Sequence, residues 1–276
     1  MDEFRGRVAL VTGAASGIGR GLAEHCADVG MRVVVADVDA AGLAETARRV
    51  EAAGAQVLAV PTDVRREEQV RALADSAEER FGLPHLLFNN AGVLTTGLSW
   101  ECSAEEWEWV FDVNVMGVVH GIRTFVPRML ARGEPARVVN TASVGAFIVG
   151  PRVAPYVASK FAVAALSESL YYELRDLGAP VRVSVLCPGA VATGIGRSER
   201  VRPEEVRPGP RSPESATYRE AFEAGIARGI DPRELARQAF DGIREDRFWI
   251  LPDSSFLPAM EHRMRCVLEG REPGSD

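Results

Sequence analysis

Short apolar runs recur along the chain between longer stretches of helical periodicity. Val8-Ala9-Leu10-Val11, Arg32-Val33-Val34-Val35-Ala36 and Gln56-Val57-Leu58-Ala59-Val60 are the first three. His85-Leu86-Leu87-Phe88, Arg137-Val138-Val139, Val181-Arg182-Val183-Ser184-Val185-Leu186-Cys187 and Phe248-Trp249-Ile250-Leu251 follow. Such near-continuous runs predict strands buried on both faces rather than strands with one wet side. Between them, Asp39–Ala53 and Arg66–Phe81 read as helices, the second with a charged, solvated face. A long helix is expected from Glu101 through Val115, and another from Tyr156 to Gly178. Strands alternating with helices predict an α/β domain of the doubly wound type, in which ligands bind beyond the strand C-termini. Thr12, Asp37, Asp63 and Asn89 all fall at such ends and are read as binding residues.

The pattern breaks after Pro188-Gly189-Ala190-Val191-Ala192-Thr193. From Gly194 to Ser215 the chain is rich in Pro, Arg, Glu and Gly, and is expected to be a structureless lid or insert. Residues 194–230 are therefore assigned to a substrate lid that moves on binding. Asp231-Pro232 restarts a helix, with Asp as N-cap and Pro in its first turn. Residues 252–276 form a tail in which Pro258–Leu268 can make a short amphipathic helix. No linker or repeat divides the 276 residues, so 1–276 is expected to be a single domain.

Composition narrows the function by exclusion. A net charge of -7 without a basic cluster argues against nucleic acid or an anionic membrane as the main partner. The longest apolar run falls short of a membrane span, and the default location is cytoplasmic. Cys26, Cys102, Cys187 and Cys266 are scattered, and the four histidines show no ligand spacing, so no metal is expected.

The candidate chemistry begins with Tyr156 and Lys160, four residues apart and so on one helical face. A cation about 4 Å from a phenolate, at an effective dielectric near 20, is worth about 4 kcal/mol. That is roughly three pKa units, enough to bring a tyrosine from about 10 to near 7, where it can serve as an acid/base. The same spacing also describes an ordinary amphipathic surface turn. Thr12-Gly13-Ala14-Ala15-Ser16-Gly17-Ile18-Gly19 joins a strand to a helix, which suits a pyrophosphate, although such a turn can be purely structural. Asp37 stands eighteen residues beyond Gly19, where a carboxylate can accept ribose hydroxyls and repel a 2′-phosphate. It could equally cap a turn. Neither Ser16 nor Val38 is basic, so NAD is favoured over NADP. Asn114 among apolar neighbours is as well explained by a satisfied core amide as by catalysis. Ser143 ends a strand without a nucleophile elbow and is read as a hydrogen-bond donor to a substrate oxygen. Phe147, Phe222 and Trp249 could wall an apolar pocket or simply fill the core.

Together these motifs resemble the short-chain dehydrogenase/reductase family over about residues 4–251. Thr12-Gly13-x-x-x-Gly17-Ile18-Gly19 resembles its cofactor turn, Asn89-Asn90-Ala91-Gly92 its NNAG element and Pro188-Gly189 its PG motif. Asn114, Ser143, Tyr156 and Lys160 are similar to its catalytic tetrad in order and spacing, Ser143 standing thirteen residues before Tyr156. The resemblance implies a Rossmann-type, seven-stranded parallel sheet in the order 3-2-1-4-5-6-7 with helices on both faces. It implies Tyr156 as acid/base, Lys160 lowering its pKa and holding the nicotinamide ribose, and Ser143 orienting the substrate oxygen. Asn114 would anchor a proton-relaying water. Gly13, Ser16, Gly17, Ile18, Gly19, Asp37, Pro188 and Gly189 would line the cofactor. Asp63 and Val64 would face adenine, Asn90, Ala91 and Gly92 the ribose side, and Val191 and Thr193 the nicotinamide end. Phe125–Leu130 and Phe248–Pro252 are similar to a bacterial subgroup in which some members oxidise benzylic or other bulky secondary alcohols with NAD. The expected activity interconverts a hydrophobic secondary alcohol and a ketone, in a homodimer or homotetramer paired through the helices of Asn114 and Tyr156. An NADPH-preferring ketone reductase and a non-catalytic dinucleotide sensor are the alternatives.

Overall fold

The first strand, β1 (Val8–Thr12), is buried along its whole length, and its side chains divide between two cores. Ala9 and Val11 enter one hydrophobic cluster, Val8 and Leu10 the other. Period-two geometry sends alternate residues to opposite faces, so a strand apolar at every position needs cover on both sides. The computed structural model describes residues 4–274; the first three and last two residues of the expected domain lie outside them.

The chain proceeds through α1 (Gly17–Asp28), β2 (Arg32–Asp37), α2 (Ala40–Ala52), β3 (Val57–Pro61), α3 (Glu67–Phe81) and β4 (Leu86–Asn89). It continues with α4 (Ala104–Phe111), α5 (Gly117–Arg132), β5 (Ala136–Thr141), α6 (Ala154–Asp176) and β6 (Val181–Leu186). Then come α7 (Pro213–Ala227), α8 (Pro232–Arg244), β7 (Trp249–Ile250) and α9 (Leu257–Glu269). The seven strands are parallel in the order β3-β2-β1-β4-β5-β6-β7. Leu22 and Cys26 of α1 join Leu235 and Phe240 of α8 on one face. Leu73 of α3, Phe125 and Met129 of α5 and Leu170 of α6 cover the other. The doubly wound expectation therefore holds, and the strand order reverses between β1 and β4, where such folds open a crevice.

Local signals account for several boundaries. Asp39 caps α2 by accepting from Gly42 N at 3.0 Å, and Asp231 caps α8 by accepting from Arg233 N at 2.8 Å. β7 is shorter than expected, two residues against four, because Pro252 lacks the N–H needed to extend the edge.

Two expectations need correction. The helix expected from Glu101 starts at Ala104, with Ser103 and Glu106 forming a capping box, and a π turn at Asp112–Met116 interrupts it around Asn114. A π turn of this kind inserts one residue into the helical ladder and is common at functional positions. The segment after Gly194 is not structureless: Ile195–Val201 forms 3-10 turns, and α7 starts from a Ser212 cap with Pro213 in its first turn.

Under that segment a small apolar cluster, Val206 against Val93, Trp109 and Val110, is joined by a polar network. Ser215 Oγ donates to Glu101 Oε2 at 2.6 Å, and Ser212 N to Glu101 Oε1 at 3.1 Å. Arg211 pairs with Glu106 at 2.6 Å, and Gly209 N donates to the same carboxylate at 3.0 Å. Leu94 N donates to Ser198 Oγ at 3.0 Å. Apolar periodicity could not reveal a docking made of hydroxyls and carboxylates.

Candidate active site

A cavity of about 650 Å³ opens along the C-terminal ends of the strands. Gly13, Ser16, Gly17, Ile18, Gly19, Asp37, Asp63, Val64, Asn90, Ala91 and Gly92 line it on the β1–β3 side and at the β4 end. Ser143, Tyr156, Lys160, Pro188, Gly189, Val191 and Thr193 line it on the β5–β6 side. Asn114 is not among the lining residues and sits behind the wall.

The glycine turn is a cradle that side chains would fill. A Cβ on Gly13 would lie 2.6 Å from Ala91 Cα, and one on Gly19 would lie 2.1 Å from the Gly13 carbonyl oxygen. Gly13 and Gly17 also have positive φ, of 66° and 53°. Thr12 ties this turn to the loop after β4, its Oγ1 accepting from Asn90 N at 3.0 Å and Ala91 N at 3.2 Å. Asn90 Nδ2 donates to Thr12 O at 3.0 Å, so its amide is already engaged in holding the two loops together. Asn89 turns away from the cavity, donating to Asn140 Oδ1 at 2.9 Å, which in turn reaches Ser167. Thr12 and Asn89, expected as binding residues, are thus structural cross-links.

Asp37 ends β2 with its carboxylate accepting from Ala15 N at 2.8 Å and Asp39 N at 3.0 Å. Burial raises its pKa, and the backbone N–H groups work against that rise. Asp63 gives its carboxylate to Arg65 at 2.7 Å, leaving less of it for an adenine than expected.

At the other side, Tyr156 lies in the first turn of α6 and Lys160 one turn later. Lys160 Nζ donates to Thr141 O at 2.8 Å and lies 5.5 Å from the centre of the Tyr156 ring. Ser143 Oγ accepts from Gly145 N at 3.0 Å. The expectation that Lys160 alone would pull the phenol to near 7 is not met. Burial raises the Tyr156 pKa, with the Ser143 hydroxyl pulling it down, and burial lowers Lys160 to about 8. In a buried site desolvation disfavours both charged forms, and it is the largest influence on each.

Asn114 is a clamp. Its Oδ1 accepts from Val93 N at 2.8 Å, while Nδ2 donates to Val93 O at 3.0 Å and Ser159 Oγ at 2.9 Å. Ser159 donates onward to Tyr156 O at 2.6 Å. One buried amide therefore fixes the loop after β4 to the helix that carries Tyr156 and Lys160.

Sequence reasoning missed several wall residues. Trp109, Tyr218 and Ile226 form apolar wall together with the anticipated Phe222. Phe147 and Trp249 instead pack edge-to-face, with ring centres 5.2 Å apart. Phe256, from the tail, also lines the cavity, and a Cβ on Gly189 would meet its ring at 2.4 Å. Arg200 lines it as well, from the 3-10 turns. Among the described residues there is no cluster of metal-ligating side chains, and no helix is long and apolar enough to cross a membrane.

Residues 7–204 match the family described as short chain dehydrogenase. The chain belongs to the short-chain dehydrogenases. A short-chain dehydrogenase/reductase from Burkholderia phymatum, solved in complex with NAD, superposes on it with a TM-score of 0.97. The two share 46% identity over 100% of this chain and 99% of the other. The 1-deoxy-11-beta-hydroxypentalenate dehydrogenase of Streptomyces exfoliatus is 40% identical over 90% of this chain and 83% of its own length. The 3beta-hydroxysteroid dehydrogenase 1 of Eggerthella lenta is 38% identical over 74% of this chain and 77% of its own. As a short-chain dehydrogenase, the protein is an oxidoreductase whose relatives carry the names of hydroxylated substrates.

Proposed function

We propose that this dehydrogenase interconverts a hydrophobic secondary alcohol and its ketone with NAD, Tyr156 serving as general acid/base. One observation carries the reading. A glycine cradle ending at Asp37 and a Ser143–Tyr156–Lys160 group border the same cavity, whose remaining wall is mainly apolar.

The cradle of Gly13, Gly17 and Gly19 suits a dinucleotide, which when bound supplies the hydride acceptor or donor. Asp37 accepts the adenosine ribose hydroxyls and disfavours a 2′-phosphate. Ser143 Oγ and the Tyr156 hydroxyl hold the substrate oxygen between them. Tyr156 takes the proton of the alcohol, and Lys160, buried and titrating near 8, stabilises the phenolate and passes the proton on. Asn114 holds the loop bearing Gly92 and Val93 against α6, and the π turn around it supports a water through which Lys160 exchanges its proton. Residues 194–230 act as a substrate lid: Tyr218 and Phe222 face the cavity, while the polar network beneath can open without exposing a large core. We further read the protein as cytoplasmic and as a homodimer or homotetramer, with half-exposed Tyr172 of α6 on a pairing face.

Secondary alcohols screened with NAD, following the absorbance of reduced nicotinamide, test the activity. Tyr156→Phe should keep NAD affinity and lower kcat by a factor on the order of 10³, within the range of acid/base catalysis. Unchanged turnover would remove Tyr156 from the chemistry.

A further inference from the structure

Two arginines line the cavity, and they differ in their partners. Arg65 is neutralised by Asp63 at 2.7 Å, with Glu205 at 3.7 Å. Among the described residues, no carboxylate lies within ion-pair distance of Arg200. Its guanidinium instead donates to neutral oxygens: Gly194 O at 3.0 Å, Arg197 O at 3.1 Å and Ser16 Oγ at 3.2 Å. Ser16 is the N-cap of α1, yet its side chain makes no capping bond to the helix.

The position is built by the fold. Thr193 packs so closely over the glycine turn that a Cβ on Gly17 would come within 2.9 Å of its methyl carbon. The chain then turns through Ile195–Val201 and brings Arg200 back to the same turn. A cation is thus held at the mouth of the cradle by neutral groups, without a carboxylate partner among the described residues. An anion seated there would form the charge-assisted bonds the site lacks.

Resting on the dinucleotide reading above, we propose that Arg200 binds the diphosphate of the cofactor and couples its binding to closure of the 195–201 turns. The guanidinium would stay on the turn while exchanging neutral acceptors for phosphate oxygens. The phosphate source could instead be the 2′-phosphate of NADP, since Ser16 is a position where a basic residue could serve that group. Asp37 makes the diphosphate the better assignment, because its carboxylate occupies the ribose end.

Calorimetric titration of NAD and NADP into the wild type, Arg200→Gln and Arg200→Lys distinguishes these. A lost charge-assisted contact at a partly solvated site predicts a Kd about tenfold weaker in Arg200→Gln. The factor should be the same for both dinucleotides and smaller in Arg200→Lys. Hydrogen exchange of 195–201 should slow on NAD binding in the wild type and not in Arg200→Gln. A loss confined to NADP, or Kd values within twofold of wild type for both, would overturn the assignment. NAD-induced protection of 195–201 that persists in Arg200→Gln would overturn the coupling. A wild type that binds neither dinucleotide would instead bring down the reading on which the proposal rests. Arg200 is exposed, and an unchanged Tm of ligand-free Arg200→Gln checks that the fold is intact.

Discussion

Removing the Glu106 carboxylate should loosen the lid from beneath. Glu106 is 1% exposed and serves three partners. It accepts from Ser103 N at 3.0 Å, completing the cap of α4, and from Gly209 N at 3.0 Å. It also pairs with Arg211 at 2.6 Å. Breaking a buried pair from one side costs about 3–5 kcal/mol, because the surviving charge is left desolvated. Here the cost is set at the lower end, about 3 kcal/mol. Arg211 keeps Thr96 O and Glu101 O, each at 2.6 Å, and its side chain is 23% exposed. For a chain of this size Glu106→Ala should lower Tm by about 5–10 °C. Exchange should speed up first in residues 205–215, the segment the carboxylate anchors. A thermal melt with peptide-resolved hydrogen exchange reads both effects. A double-mutant cycle with Arg211→Ala should return a coupling of about 1–3 kcal/mol. A Tm within about 1 °C of wild type and unaltered exchange at 205–215 would refute the claim that this polar network holds the lid.

Two further outcomes follow from the site. Burial lowers Lys160 to about 8 and raises Tyr156, so the first of their two protons leaves near the lower value. Alcohol oxidation needs the proton-poor form, so its kcat/KM should rise as pH passes about 8, while ketone reduction should fall over the same range. Lys160→Met should abolish that inflection, and a flat profile in the unaltered protein would contradict the assignment. Gly189→Ala drives a methyl into Phe256 and should cost about 1–3 kcal/mol by overpacking. In a denaturant melt Gly189→Ala should cost less in a Phe256→Ala background than in the wild type, the contact with Asp253 Oδ2 at 2.9 Å remaining. Phe256→Ala should also lower KM for bulkier alcohols relative to small ones. An equal cost of Gly189→Ala in both backgrounds would mean that the contact with Phe256 is not limiting.

Local and periodic features determined much of this protein from sequence alone. Strands apolar at every position require helices on both faces. The glycine turn, Asp37 and the one-turn spacing of Tyr156 and Lys160 are short-range patterns, so the candidate site could be named before the fold was known. Tertiary structure decided what depends on contacts between distant segments. Thr12 and Asn89 became cross-links because strands that are far apart in the chain lie side by side in the sheet. Asn114 became a clamp because the π turn brings its amide to Val93 and Ser159. Ser198, Arg211 and Ser215 dock through hydrogen bonds, which leave no hydrophobic periodicity to read. Phe256 and Arg200 reach the cavity from segments whose composition carries no such signal. The balance between Lys160 and Tyr156 was out of reach for the same reason: spacing along a helix states how near two charges can be, but only the packed surroundings set how far water is excluded from them.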